Sequence, residues 1–355
     1  MMAIQDSVTY IHDLDTAIQH SIRIEQLKES SVVVTGATGT IGSFIADMLF
    51  RYNQTADANI TVCVAGRNVE KLKERFAFWN CDCLKVFQYD MMKPIRFEYP
   101  VDYVIHAAGN AHPTAFNGDP VGTIVGNVQG TYELLEFTRM HGGKKFLYVS
   151  SGEVYGQGDI SLDEFSEDYA GYVDTTSPRS CYPQSKRTTE SLCASYSSQY
   201  GLETVVVRPC HTYGPNITAT DSRANVQFIK NVLNDEDILM KSAGTQLRSY
   251  NYIADCASGI ISVLINGKSG EAYNIANSSV RITIAELAEI IAKAGKKKVI
   301  FSEPTDLDIA NRTPIAKQVL SCKKLETLGW KGTYSAEVGI EHTINILKDI
   351  AMNNR

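Results

Sequence analysis

The chain has no apolar run long enough to cross a bilayer, and its first residues, MMAIQDSVTYIHD, lack a basic-then-apolar leader. Both absences argue against a membrane segment or a secretory signal. A basic stripe is missing too. The 34 Lys and Arg are outnumbered by 40 Asp and Glu, and the formal charge of −6 is spread along the sequence. Nucleic acid and anionic membrane surfaces are therefore poor partners. The one run of cations, Lys296-Lys297-Lys298, is short and precedes an apolar strand-like stretch, so it reads as a solvated turn. None of the eight cysteines forms a C-x-x-C pair, so no zinc or other metal site is expected. Most lie in apolar stretches and read as core thiols of a protein of the reducing cytoplasm.

What the chain does have is residues 31–43, SVVVTGATGTIGS. Three valines run into a turn spaced G-x-x-G-x-x-G at Gly36, Gly39 and Gly42, and an apolar helical pattern follows at Ile41, Phe44, Ile45, Met48 and Leu49. One glycine lets the chain reverse at positive φ, one lets the backbone approach a pyrophosphate, and one lets the helix pack close to the strand. The N–H groups at the helix start, by Thr40 and Ile41, would then hold the phosphates. Strand before and helix after is the context a dinucleotide site needs.

Residues 1–30 read as a partly helical extension with Ile18, Ile22 and Leu27 on one side. It carries no recognisable chemistry and is expected to pack on the nucleotide lobe. A second strand over 59–66 runs into Arg67. An acidic residue there would suit NAD, whereas an arginine suits the 2′-phosphate of NADP. A third strand over 83–88 ends near Asp90, placed either to accept from the adenine amino group or to cap a turn before Pro94. A fourth, over 101–108, ends in Ala107 and Ala108, small enough for the chain to pass beneath a dinucleotide. The polar stretch GNAHPTAF, 109–116, reads as a Pro-broken loop near the cofactor's reactive end. In the long helix 121–140, Gly122, Gly126 and Gly130 mark a closely packed face. A fifth strand over 146–151, an acidic inserted loop over 156–180, a helix over 182–200 and a sixth strand over 203–208 follow.

The fold class is therefore α/β: a Rossmann-type doubly wound parallel sheet over 31–209 with a smaller C-terminal substrate-binding lobe. That lobe takes 210–249 and 276–355, while 250–275, with a strand–helix return from Tyr250 to Leu264, rejoins the first lobe.

Tyr182 and Lys186 lie four apart on a predicted helix and share a face. A fixed ammonium lowers the pKa of a neighbouring phenol, and such a phenol can exchange a proton with an alcohol during hydride transfer. Ser151, at the end of the fifth strand, can donate to the same oxygen. Tyr89 and Lys93 share the spacing but lie on a loop before Pro94. The glycine turn alone would allow a dinucleotide-binding sensor without turnover; the Tyr, Lys and Ser argue for an enzyme. A simple dehydrogenase releasing reduced cofactor each cycle is a further alternative.

Six segments carry a family resemblance: TGATGTIG, HAAG, SSGEVYG, YPQSK, RPCHTYGP and RSYNYIAD. In this order, from about residue 32 to 330, they resemble the extended short-chain dehydrogenases that rework nucleotide-sugars. The resemblance implies Tyr182 as catalytic base, Lys186 on the nicotinamide ribose and in support of Tyr182, and Ser151 as third member. It implies tightly held NAD or NADP, a nucleotide-diphosphate sugar oxidised at C4, and a homodimer built from helices 121–140 and 182–200. Family 4,6-dehydratases carry Thr-Asp-Glu before VYG, where this chain has Ser151, Gly152 and Glu153. The Asp that serves water elimination is missing. Simple 4-epimerases usually lack the Glu, while decarboxylases of nucleotide-linked glucuronate keep it. Their loop after the fourth strand also resembles GNAHPTAF, with His112 here for a serine and Phe116 for a tyrosine. Once C4 is a ketone, C5 becomes acidic, and a carboxylate nearby assists; otherwise Glu153 merely bonds backbone. UDP-glucuronate-type decarboxylation ranks first, 4-epimerisation second, 4,6-dehydration third. Arg248 and Arg312 resemble the arginines that clamp the diphosphate, and 223–228, with Arg223 and Asn225, resembles the stretch over the base. His211 stands where the family usually has Asn, in reach of the sugar.

Overall fold

The computed structural model describes residues 3–352 except 96, 98, 110, 219–220 and 304–314. Arg312 lies outside the described residues. In chain order the first lobe runs α1 (Val8–Gln19), β1 (Ser31–Thr35), α2 (Thr40–Ala56), β2 (Thr61–Gly66), α3 (Val69–Phe76), β3 (Leu84–Gln88), β4 (Tyr103–His106), α4 (Pro113–Gly118), α5 (Pro120–Met140), β5 (Lys145–Val149), α6 (Cys181–Tyr200) and β6 (Thr204–Pro209). The remainder contributes β7 (His211–Tyr213), α7 (Ala224–Leu233), β8 (Ile238–Met240), β9 (Leu247–Tyr252), α8 (Ile253–Asn266), β10 (Glu271–Ile275), β11 (Arg281–Thr283), α9 (Ile284–Gly295), β12 (Val299–Phe301) and β13 (Lys317–Gln318). Helices Lys323–Glu326 and Ala336–Met352 follow.

Side-chain alternation builds the two cores. Val32 and Val34 of β1, Val62 and Val64 of β2 and Val205 and Val207 of β6 join one apolar cluster with Phe44, Met48 and Leu49 of α2 and Ile260, Ile261 and Leu264 of α8. Val33, Cys63 and Val206, which alternate with them, join another with Leu134 and Leu135 of α5 and Cys193 and Tyr196 of α6. This period of two, apolar on both faces, belongs to a sheet covered on both sides.

The sheet has seven strands in the order β10-β6-β5-β4-β1-β2-β3, all paired in parallel. The order reverses between β1 and β4, and a crevice opens there beyond the carboxyl ends of the strands, where such sheets bind ligands.

Three local expectations need correction. The return to the sheet begins later than Tyr250: β9 stays in a small sheet with β7, β11 and β13, and only α8 and β10 come back, β10 beside β6. β9 is committed to three partners of its own, whereas α8 carries the apolar face that the large sheet needs. The proline of GNAHPTAF opens α4 rather than breaking a loop, because a missing N–H costs nothing in a first helical turn. Cys81 and Cys83 form a disulfide across Asp82, in a turn closed by the Leu84 N–H donating to the Cys81 carbonyl at 3.1 Å; their Cα atoms are 5.1 Å apart. The other six cysteines are free and buried.

The glycine face of α5 packs within the chain. A Cβ on Gly130 would lie 2.7 Å from the Cβ of Met91, and one on Gly126 3.6 Å from the Met91 methyl. The N-terminal extension does more than cover the nucleotide lobe. Arg51 of α2 donates twice to Asp15 of α1, at 2.7 and 2.8 Å. Asp13, fully buried, accepts from Tyr252 of β9 at 2.5 Å and from Tyr334 at 2.8 Å, and pairs with His342 of the C-terminal helix at 2.8 Å. One helix thus fastens both parts of the molecule.

Candidate active site

The glycine turn has the geometry its spacing demands. Gly36 has φ +66°, and a Cβ there would lie 2.6 Å from the carbonyl oxygen of Ala107. A Cβ on Gly42 would lie 2.5 Å from the carbonyl oxygen of Gly36. Backbone therefore meets backbone where β1, β4 and α2 converge. Gly39 caps α2 with no side-chain hydrogen bond, leaving the first-turn N–H groups available to an anion. The Thr40 hydroxyl is engaged, donating to the carbonyl of Asn216 at 2.9 Å. Arg67 is exposed just past β2. Asp90 caps its own turn, accepting from the Met92 N–H at 3.1 Å, which is the structural alternative foreseen for it.

Past this turn the cleft is lined by Ile41, Ala107, Ala108, Ser150, Ser151, Glu153, Tyr182, Lys186, His211 and Arg223, among others. Five elements bring them together: the start of α2, the ends of β4 and β5, the start of α6, and β7 with the loops around it. Lys186 is buried and donates to the carbonyl of Val149 at 2.8 Å. Its ammonium lies 4.6 Å from the Tyr148 ring centroid and 5.8 Å from that of Tyr182. Burial pushes Lys186 down to about 8. It pushes the Tyr182 phenol up to about 12, against the pull of a hydrogen bond to Ser151. The expectation that Lys186 lowers this phenol is thus corrected: desolvation dominates in the protein alone. The Ser151 oxygen accepts from the Glu153 N–H at 3.1 Å, so its proton stays available to donate. The Ser150 hydroxyl, also buried in the cleft, has no partner among the described residues.

Glu153 sits in a short 3-10 turn, Gly152–Tyr155. The Gln318 amide donates to the carbonyl of Gly152 at 2.9 Å and steadies the turn. One Glu153 oxygen is 3.6 Å from Arg179; the other is buried and has no partner among the described residues. Burial pushes this carboxyl up, against Arg179 and then Arg248. The backbone-bonding alternative is not what the structure shows for this side chain.

The other candidates divide. Arg223 lines the cleft and holds buried Asp221 with its Nε at 3.0 Å and Nη2 at 2.6 Å. His112 approaches the same carboxylate at 3.4 Å. Burial would raise Asp221, yet His112 and Arg223 hold it well below the usual carboxylate range. His211 is pushed down to about 3, by burial first and then by Arg248 and Arg223, so it is neutral at pH 7, and its Nδ1 has no partner among the described residues. Asn225 is buried in the first turn of α7. Arg248 does not line the cleft; its guanidinium donates to the carbonyls of Leu247 and Ile315. The sequence reading passed over Asp221, Gln318 and Arg179. Only Arg179, just ahead of Tyr182 in SPRSCYPQSK, left a visible signal.

Residues 32–276 match the NAD dependent epimerase/dehydratase family. The chain belongs to that family. It is thus an NAD-dependent enzyme by kinship, and the glycine turn fits a dinucleotide. Among its relatives, UDP-glucuronic acid decarboxylase 6 of Arabidopsis thaliana is 31% identical over 312 residues, covering 87% of this chain and 86% of the relative. The fold is shared with UDP-glucose 4-epimerase of Thermotoga maritima, solved with UDP-glucose, at TM-score 0.75 and 22% identity over 90% of this chain and 99% of that one. It is shared equally with UDP-glucuronic acid 4-epimerase of Bacillus cereus, solved with UDP-glucuronic acid and NAD, at TM-score 0.74, 22% identity and the same 90% and 99% coverage. Among the described residues no cluster of His, Cys, Asp or Glu could hold a metal ion, and no helix is long and apolar enough to cross a membrane.

Proposed function

We propose that this enzyme acts on a nucleotide-diphosphate sugar, and that its reaction is decarboxylation of UDP-glucuronate or a close analogue. The observation that carries this reading is Glu153, a buried carboxyl in the same cleft as Tyr182 and Ser151, with Gly152 where a dehydratase would need an acid. The decarboxylase among the relatives supports it.

The backbone cradle at Gly36 and Gly42, the open N–H groups of α2 and the buried, unpartnered Ser150 hydroxyl fit a dinucleotide whose nicotinamide end reaches Tyr182. NAD, when bound, supplies the acceptor for the electron pair that leaves C4. Tyr182, whose phenolate the positive charge of the bound nicotinamide and of Lys186 would favour, would take the proton of the C4 hydroxyl, and Ser151 donates to the same oxygen. Lys186, among the carbonyl of Val149 and two aromatic rings, holds the nicotinamide ribose. With C4 a ketone, loss of carbon dioxide from the C5 substituent pushes electrons onto the C4 oxygen, where Ser151 and Tyr182 stabilise them. Glu153 then hands a proton to C5. A carboxyl pushed up by burial suits this task, because a protonated Glu153 neither repels the substrate carboxylate nor lacks the proton to give.

Around the sugar and nucleotide, His112, His211, Arg223 and Asn225 form the substrate set, with Arg248 behind them holding backbone. Cofactor binding is tight, as befits a cycle that returns its own reducing equivalent. NAD is the cofactor; Arg67 is the feature that favours the 2′-phosphate of NADP, and competition between the two in a binding assay measures its weight. A homodimer through α5 and α6 fits the exposed Val121, Ile124 and Val125 on α5. The six free buried thiols suit the reducing cytoplasm, whereas the Cys81–Cys83 disulfide runs against it.

Mass spectrometry of the product formed from UDP-glucuronate tests the reading. Loss of carbon dioxide supports it. An unchanged mass with altered retention means 4-epimerisation, and loss of water from a neutral hexose means 4,6-dehydration; either would displace it. Ligand binding without any turnover would favour a sensor.

A further inference from the structure

Arg179 lies in the 3-10 turn Pro178–Ser180, immediately before α6. The turn is pinned by the Ser180 hydroxyl, which donates to the carbonyl of Asp174. From there the guanidinium meets two different parts of the cleft. Its Nη2 is 3.6 Å from the Glu153 carboxylate. Its Cζ lies 5.8 Å from the Phe116 ring centroid, and Phe116 in turn stacks on Tyr182. The Cys181 thiol, donating to the carbonyl of Phe116 at 3.5 Å, closes the same group from below.

The charged and titratable groups facing Glu153 are Arg179 from this turn, Arg248 from β9, and Tyr182 and Cys181 from α6. Arg248 is committed to two backbone carbonyls. Among the described residues, Arg179 is the one cation in an ion pair with Glu153. A guanidinium has a planar face for an aromatic ring and an edge of N–H groups for a carboxylate, so one side chain can serve both.

We infer that Arg179 is a positioning residue that turns the Glu153 carboxyl toward C5 of the sugar and braces Phe116 against Tyr182. One side chain then aligns the proton-transfer groups at C4 and at C5. This rests on the decarboxylase reading only for what Glu153 does; the pairing itself does not depend on it.

The test has one arm without substrate and one with it. In the first, the full-length protein carries 13C at its glutamate carboxyls, the Glu153 resonance is assigned by its loss in Glu153→Gln, and pH is titrated. In Arg179→Met the resonance should titrate at higher pH than in the wild type, because the carboxylate has lost its cation. Arg179→Lys should return it most of the way. Arg179→Gln, which keeps the side chain's polarity, replaces the Met variant if that one unfolds. In the second arm, kcat on UDP-glucuronate should fall roughly tenfold or more in Arg179→Met while KM stays within about threefold, with Lys restoring most of the loss. A Glu153 titration that does not move overturns the inference, whatever happens to kcat. A loss confined to KM overturns it too, since that would make Arg179 a substrate contact. Failure of the wild type to release carbon dioxide would overturn the decarboxylase reading alone, because the titration would still decide the role of Arg179.

Discussion

Phe116 lies flat against Tyr182, their ring centroids 5.1 Å apart and their planes 13° from parallel. The stack ties α4 to the start of α6 and buries one face of the phenol, leaving its oxygen toward the cleft. Replacing Tyr182 with Phe keeps the stack and removes the proton carrier. Turnover should fall by about 10²–10⁴-fold, the usual worth of a positioned acid–base group, while NAD binding and the thermal midpoint stay unchanged. Near-normal turnover in this variant would remove Tyr182 from the chemistry. A retained ligand response in a wild type that never turns over would point instead to a sensor.

Glu153→Gln separates the two halves of the proposed reaction. The amide is nearly isosteric and keeps the Arg179 side filled, but it has no proton of suitable acidity for C5. Mixing the variant with UDP-glucuronate should still give the absorbance of reduced cofactor, because C4 oxidation needs Tyr182 and Ser151. Formation of pentose product should fall by about 10²-fold or more. Equal loss of both signals would mean that Glu153 organises the whole cleft; loss of neither would return it to a structural role.

Six of the seven strands of the sheet were legible because each obeys a local rule, while β10 was not read. Val32, Val33 and Val34 read as a strand buried on both faces, and Gly36, Gly39 and Gly42 read as the turn that must follow. Tyr182, Lys186 and Ser151 were found by spacing and by the strand and helix that present them. What escaped were relations between distant segments. Nothing local ties Asp221 to His112, or Gln318 to Gly152, since each pair meets only after the C-terminal lobe has folded onto the first. Tyr250 was assigned to the large sheet because its strand leads straight into α8; the small sheet that claims β9 is assembled from strands too short to show a period. Cys81 and Cys83 looked like scattered thiols, because a tight turn with one residue between them leaves little trace in composition.

Gly36→Ala tests the cradle directly. The residue has φ +66°, and the added methyl would meet the Ala107 carbonyl oxygen at 2.6 Å and the Ala108 Cα at 2.8 Å. Backbone on both sides cannot yield as a flexible side chain would. The strained φ and the overlap together should cost roughly 1–3 kcal/mol or more, and any relaxation must push β4 away from α2, across the dinucleotide path. Urea unfolding should show the loss of stability, and NAD titration a loss of affinity larger than for Gly118→Ala, where an added Cβ meets nothing within 4 Å. Equal affinities would mean that the turn does not hold the cofactor.

His211 makes a prediction about acid. Burial, then Arg248 and Arg223, push it down to about 3, whereas in the unfolded chain a histidine titrates near 6.5. Between those values the unfolded state binds a proton that the folded state refuses, so stability falls as pH drops from about 6.5 toward 3 and is complete above that window. Asn at this position carries no such proton. Urea unfolding of His211→Asn at pH 7 and pH 5 should therefore show a smaller acid loss than the wild type, by about 1.4 kcal/mol per pH unit within the window. The variant will not become indifferent to acid, because His106 is pushed to about 3 by the same burial, with Thr35 at 2.7 Å and Thr131 at 3.1 Å on its two nitrogens. Identical acid losses in the two proteins would mean that His211 accepts a proton in the folded state. Its unpartnered Nδ1 would then have to find an acceptor in the cleft, and the neutral imidazole assigned to the sugar site would be wrong.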